Sequence, residues 1–245
     1  MVLELINVNK HYKQNHALRN FSYRFHNGIY GLLGPNGAGK STLINYIVGN
    51  IQGDIGSEII CNDKKVVSFN KEYRSKIGFM PQQQALYDNF TARHFMLYIA
   101  ALKNISSNLA CEQTNKLLSA VELSDTADKN IGSFSGGMKQ RLLVAQAILG
   151  NPEIILLDEP TAGLDPRKRV IIRELIKEYS KDRIIIVSTH ITSDIESIAD
   201  EVIMMDKGCV IQSGSTHKLC NSDDREISLE QLYMNIYGEK GIERS

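Results

Sequence analysis

The stretch Gly34-Pro35-Asn36-Gly37-Ala38-Gly39-Lys40-Ser41-Thr42 constrains the fold of this chain more than any other. It has the G-x-x-x-x-G-K-[ST] spacing of a phosphate-binding loop. The apolar, glycine-punctuated run Gly28 to Leu33 precedes it, and Leu43-Ile44-Asn45-Tyr46-Ile47-Val48 after it reads as a helix. Strand, glycine-rich turn and helix form the context in which consecutive N–H groups and a helix start can cradle a phosphate chain. In that context Lys40 reaches the terminal phosphates and Ser41 holds Mg²⁺. The alternative is a glycine-rich loop with no ligand. An acidic strand end later in the chain speaks against it.

A length of 245 residues can bury one large core or two modest ones. The formal net charge of 0 gives no support for a broad nucleic-acid-binding surface. Lys64-Lys65 is read as solvated surface. Cys61, Cys111, Cys209 and Cys220 stand far apart without a C-x-x-C pair, so neither a zinc knuckle nor a disulfide framework is indicated. No run approaches 18 apolar residues, the length a membrane span needs. Any membrane role is therefore expected to come through a partner.

Apolar patterning divides the chain. Val2, Leu3, Leu5, Ile6 and Val8 fit a strand, and the segment from Leu18 to Phe25 alternates with period two. Ser57 to Val67 carries short strand signals, and Ile77-Gly78-Phe79-Met80 reads as a strand stopped by Pro81. From about Thr91 to Leu123 apolar residues recur at helical spacing, which predicts a mainly helical insertion. A further helix is expected from near Ser135-Gly136-Gly137 to Gly150-Asn151-Pro152.

Ile154–Leu157, Ile184–Val187 and Val202–Met205 are continuous apolar runs, the pattern of strands buried on both faces of a parallel sheet. Between the first two, Val170, Ile171, Leu175 and Ile176 mark an amphipathic helix. The order predicts an α/β core. The last 30 residues are polar, with Leu229, Leu232, Tyr233 and Ile236 marking a peripheral helix before a frayed end.

Parallel sheets present ligands at the carboxyl ends of their strands. Asp158 and Glu159 follow the Ile154–Leu157 run, so Asp158 is placed to hold Mg²⁺, directly or through water. Glu159, one residue on, can orient or deprotonate an attacking water. His190 follows the Ile184–Val187 run through Ser188-Thr189 and is expected at the same edge, where it can bond a γ-phosphate or fix the water and its base. Gln82 follows Pro81 and can touch Mg²⁺ or water and a moving neighbour. Ser135-Gly136-Gly137 reads either as a simple helix cap or as a second loop able to approach an anion. One nucleotide does not need two such loops from one chain, and a dimer with each Ser135 loop facing the other chain's P-loop is the economical arrangement. Tyr12 can stack on a base, or can equally be core or surface.

Together these residues resemble the nucleotide-binding subunit of an ABC (ATP-binding cassette) transporter, over nearly the whole chain. By that resemblance Tyr12 matches the aromatic residue that stacks on adenine, Gly34–Thr42 the Walker A motif and Gln82 the Q-loop glutamine. Phe134-Ser135-Gly136-Gly137-Met138 matches the family signature, with Phe134 and Met138 replacing the usual Leu and Gln, and Lys139-Gln140-Arg141 follows as in many cassettes. Ile154–Asp158 matches Walker B, Glu159 the catalytic glutamate, Ala162-Gly163-Leu164-Asp165 the D-loop and His190 the switch histidine.

The resemblance implies an α/β P-loop NTPase with a RecA-like core, an N-terminal antiparallel β subdomain and an inserted helical subdomain. Core and β subdomain would cover about 1–82 and 151–212, the helical subdomain about 83–150, and a peripheral segment 213–245. It implies ATP and Mg²⁺ as cofactors, a homodimer or cassette heterodimer, and a transmembrane permease on a separate chain. The location implied is the cytoplasmic face of the membrane. Gly78–Gln82 with Asn89-Phe90-Thr91-Ala92, and Ser228–Tyr233, resemble bacterial ABC-2 type cassettes, which export drugs, antimicrobial peptides or other amphipathic compounds. An ABC importer subunit would share every catalytic residue, and a soluble ABC ATPase outside transport is a third reading.

Overall fold

The computed structural model describes residues 1–83, 86–222 and 225–238. The chain opens with the strands β1 (Leu3–Tyr12), β2 (Asn15–Phe25) and β3 (Gly28–Leu33), followed by helix α1 (Lys40–Val48). Strands β4 (Glu58–Cys61) and β5 (Lys64–Lys65), helix α2 (Lys71–Ser75) and strand β6 (Ile77–Met80) come next. Three helices follow: α3 (Ala92–Leu102), α4 (Ser107–Ala120) and α5 (Gly136–Ile148). Strand β7 (Ile154–Asp158), helix α6 (Pro166–Glu178), strand β8 (Ile184–Thr189), helix α7 (Thr192–Glu196) and the pair β9 (Glu201–Asp206) and β10 (Cys209–Gly214) complete the core. Helices α8 (Thr216–Cys220) and α9 (Leu229–Tyr237) end the described chain. Residues 223, 224 and 239–245 of the expected peripheral segment, and 84 and 85 of the expected helical subdomain, lie outside the described residues.

Two larger sheets result. One is antiparallel in the order β2-β1-β4-β5. The other runs β10-β9-β3-β8-β7-β6, parallel except for β10. Every residue of β7 and β8 is buried, as their unbroken apolar runs predict. Successive side chains of these strands serve opposite faces. Ile155, Leu157, Ile185 and Val187 pack with the helices α3 to α6, while Ile154, Leu156, Ile184 and Ile186 pack with α1 and the antiparallel sheet.

Two local expectations are corrected. The period-two alternation expected from Leu18 to Phe25 breaks at a bulge: Asn20 has φ 48°, and the buried residues are Leu18, Phe21 and Phe25. A matching register shift surrounds Val8 on β1, where Asn7 has φ 49°. Asparagine tolerates this left-handed conformation because its short polar side chain can bond locally. On α6 the buried stripe is Ile172, Leu175 and Ile176. Val170 is exposed, since it lies two residues before Ile172 and so on another side of a 3.6-residue helix.

Because β3, β6, β7 and β8 run parallel, their carboxyl ends share one edge of the sheet. That edge receives Gly34 from β3, Gln82 just beyond β6, Asp158 and Glu159 from β7, and His190 from β8. Sequence positions up to 156 residues apart are thereby gathered along one rim.

Candidate active site

The loop between β3 and α1 is shaped by backbone crowding. Gly34 has φ 157°, and a Cβ there would lie 2.3 Å from the Met205 carbonyl oxygen. Gly39 caps α1 at φ 103°, and a Cβ there would lie 2.6 Å from the Ala17 carbonyl oxygen. Only glycine fits both positions, and this leaves the loop's N–H groups open to an anion at the start of α1. Lys40 is buried, and its Nζ donates to the carbonyls of Gly34 at 2.5 Å and Pro35 at 3.2 Å. Burial pulls the Lys40 pKa below its ordinary value, and the Glu159 and Asp158 carboxylates act against that pull.

A cavity of about 350 Å³ lies over this loop. Asn36, Gly37, Ala38, Gly39, Lys40, Ser41 and Thr42 form its floor, and Tyr12, Gln82 and Glu159 its walls, together with Asn15 and Ala17. Tyr12 is the last residue of β1, and it is 45% exposed, open enough for a flat ring to stack on. Asn15 and Ala17 were not anticipated. Their only sequence signal is proximity to Tyr12 across the β1–β2 turn.

At the sheet edge, Asp158 is buried and accepts from the Ser188 hydroxyl. Glu159 is also buried, and its carboxylate meets His190 Nδ1 at 3.0 and 3.1 Å. The histidine itself stands half exposed. Glu159 has φ 54°, a left-handed conformation that costs a non-glycine residue roughly 1–3 kcal/mol and persists only when neighbours enforce it. The enforcing groups are Ser188, whose backbone and hydroxyl oxygens accept from the Glu159 N–H at 3.1 and 3.2 Å, and the buried Gln140, whose Nε2 donates to the Glu159 carbonyl at 2.7 Å. Neither Ser188 nor Gln140 carries a local sequence signal for these contacts, which lie 29 and 19 residues away along the chain.

The oxygen groups of Ser41, Gln82 and Asp158 are hard donors suited to Mg²⁺. Among the described residues no three His, Cys, Asp or Glu gather into a metal cage. A cation held mainly by phosphates and water needs only one or two protein ligands.

Ser135, Gly136, Gly137 and Asp165 stand outside the lining of the cavity over the P-loop. Ser135 caps α5, accepting from the Met138 N–H at 3.3 Å, so the helix-cap reading is correct as far as local structure goes. The Ser135-Gly136 end of the helix is nonetheless exposed. Asp165 likewise caps α6, accepting from the Lys168 N–H at 2.9 Å, with Pro166 at the first helical position.

Residues 18–162 match the family model described as ABC transporter. The chain is 34% identical over 219 residues to an uncharacterized ABC transporter ATP-binding protein, YxlF, of Bacillus subtilis (strain 168), covering 89% of this chain and 72% of that one. It is 33% identical over 223 residues to the Nod factor export ATP-binding protein I of Burkholderia orbicola, covering 90% and 73%. It is 32% identical over 222 residues to the linearmycin resistance ATP-binding protein LnrL of Bacillus subtilis (strain 168), covering 90% and 71%. An ATP-binding subunit of an ABC transporter superposes with TM-score 0.87 at 26% identity, covering 96% of this chain and 99% of that one. A dimeric ATP-binding cassette in a post-hydrolysis state, bound to ADP and Pi, superposes with TM-score 0.80 at 28% identity, covering 87% and 98%. The P-loop, the Glu159–His190 edge and this kinship agree, and the chain belongs to the ABC transporter family as one of its ATP-binding, ATP-hydrolysing subunits.

Proposed function

We propose that this chain hydrolyses ATP in a dimer of cassettes at the cytoplasmic face of a membrane, powering a separate permease that exports a drug, an antimicrobial peptide or another amphipathic compound. The observation that carries the hydrolytic part is the buried Glu159 carboxylate, held against His190 and walling the P-loop cavity. Glu159 acts as general base on the attacking water, and His190 orients it. Lys40 and the P-loop N–H groups hold the phosphates in line for attack. Ser41, Gln82 and Asp158 would hold Mg²⁺, which supplies neutralising charge at the phosphates. Tyr12 stacks on the base. The export direction rests on the Nod factor export and linearmycin resistance relatives.

The position of Ser135 and Asp165, both outside the lining of the cavity over the P-loop, supports the dimer. Ser135, Gly136 and Gly137 face the nucleotide held by the other subunit, with Asp165 at the same interface. Chains carrying Lys40→Ala, mixed with chains carrying Ser135→Arg, are expected to regain ATPase activity. A mixed dimer then has one site with both lesions and one with neither. If confirmed subunit exchange brings no recovery, the trans arrangement of independent sites is wrong.

The permease docks on the helical insertion of about residues 83–150, next to Gln82. Among the described residues no helix is long and apolar enough to cross a membrane. The face in question carries exposed rings: Tyr87 is 53% exposed and Tyr98 is 37% exposed, beside a partly buried Phe90 that stacks on His94 at 4.3 Å. Such a patch marks an interaction surface. The chain is expected to co-purify with a multi-span membrane protein from detergent-solubilised membranes. Tyr87→Cys and Tyr98→Cys are expected to crosslink to its cytoplasmic loops in an ATP-dependent way. Crosslinks confined to the segment after residue 210 would overturn this docking face. Recovery without any membrane protein would overturn the transport reading.

A further inference from the structure

We propose that Gln140 is a positioning residue for hydrolysis: its buried side-chain amide grips the backbone carbonyl of Glu159 and sets the direction in which the Glu159 carboxylate points. The inference rests on Glu159 being the base. Glu159 sits at φ 54°, a conformation that persists only where the surrounding structure enforces it. On the amino side, its N–H donates to both oxygens of Ser188. On the carboxyl side, its carbonyl accepts from Gln140 Nε2 at 2.7 Å and from the Ala162 N–H at 3.2 Å. The Ala162 bond closes a tight local turn and travels with Glu159. The Gln140 bond is the one that ties this carbonyl to another element.

That element is α5, whose first turn is capped by Ser135. Gln140 lies five residues after Ser135, on the buried side of the same helix, and is 4% exposed. A rigid helix thus carries the signature loop at its start and grips the peptide of Glu159 little more than one turn later. Ser188, on the other side, leads through Thr189 to His190. The Glu159 peptide is therefore clamped between the signature helix and the strand that delivers the histidine. Any tilt of α5 is transmitted to the carboxylate.

Gln140→Met keeps the volume and removes the side-chain amide, its acceptor together with the N–H donor. The Ala162 bond still serves the carbonyl, so folding is expected to survive, with the melting temperature close to that of the parent. Misdirecting a catalytic group by about an ångström can cost on the order of 10²-fold in rate. Gln140→Met is therefore expected to lower kcat by about 10- to 100-fold while ATP affinity and KM stay within about two-fold. Gln140→Glu supplies a donor only when its carboxyl is protonated. Its kcat relative to the parent is expected to rise as pH falls, a profile that loss of packing alone does not produce.

Parental kcat in Gln140→Met overturns the proposal. So does a loss of kcat matched by equal losses of ATP affinity and melting temperature. If Gln140→Met does not fold, a pH-independent ratio for Gln140→Glu overturns it instead. Glu159→Gln, measured in parallel, separates the two readings. An active Glu159→Gln strikes the base assignment, whereas an inactive Glu159→Gln beside a fully active Gln140→Met strikes only the positioning role.

Discussion

Glu159→Gln is expected to bind ATP with the parent's affinity and to lose turnover by about 10²- to 10⁴-fold, the range over which a positioned general base contributes. The structure makes this substitution a clean one. The backbone of Glu159 is held at its N–H, bonded to Ser188, and at its carbonyl, bonded to Gln140 and Ala162. Neither depends on the side-chain carboxylate. Glutamine has the same shape and meets the same left-handed φ, so the backbone has no reason to move. It retains an oxygen for His190 Nδ1, which meets the carboxylate at 3.0 Å. What it lacks is basicity. With binding intact and chemistry blocked, the closed state has no exit, and ATP is expected to accumulate dimers. Steady-state phosphate release and size-exclusion chromatography with and without ATP read the two effects. Near-normal hydrolysis would remove Glu159 from the role of base.

Lys40→Ala is expected to fail one step earlier. Lys40 is buried with its ammonium on the Gly34 and Pro35 carbonyls, and burial already works against its charge. An incoming phosphate chain restores an environment in which that charge is favoured. A hydrogen bond to a charged group contributes about 1.5–3 kcal/mol, so truncation is expected to weaken ATP binding by about 10- to 100-fold. The rate should fall as well, because the same cation neutralises charge that moves during phosphoryl transfer. The two variants differ in signature: Glu159→Gln keeps affinity and loses rate, while Lys40→Ala loses both. Calorimetry with Mg²⁺ and ATP measures the affinity, and an unchanged value for Lys40→Ala would count against its phosphate contact.

Much of the site was legible because its parts are local patterns. The spacing from Gly34 to Thr42 specifies a turn that needs glycine where φ is positive, and the structure places Gly34 and Gly39 there. Unbroken apolar runs identified β7, β8 and β9, and the residues just after the first two are Glu159 and His190. Carboxyl ends of parallel strands share an edge, so those two residues were expected together, and the carboxylate and imidazole are in contact. Periodicity was less reliable where the backbone departs from regularity. The bulge at Asn20 shifts the buried set on β2, and Val170 of α6 faces outward although it is apolar.

What the sequence by itself determined is therefore a list of elements, the face each one buries and the chemistry carried at its ends. A hydrophobic period of 2 or 3.6 encodes which side of a strand or helix is dry, and a glycine pattern encodes where a turn is possible. Only the tertiary structure decided which elements are neighbours. It set β3 between β8 and β9, bringing the P-loop beside strands that begin only at Ile184 and Glu201. It put Gln140 and Ser188 on the two sides of the Glu159 peptide, and it left Ser135 and Asp165 outside the cavity over the P-loop. Such contacts depend on how two cores pack against opposite faces of one sheet, and apolar burial is non-directional. The pairing of a particular amide with a particular carbonyl is settled only when all the layers close together.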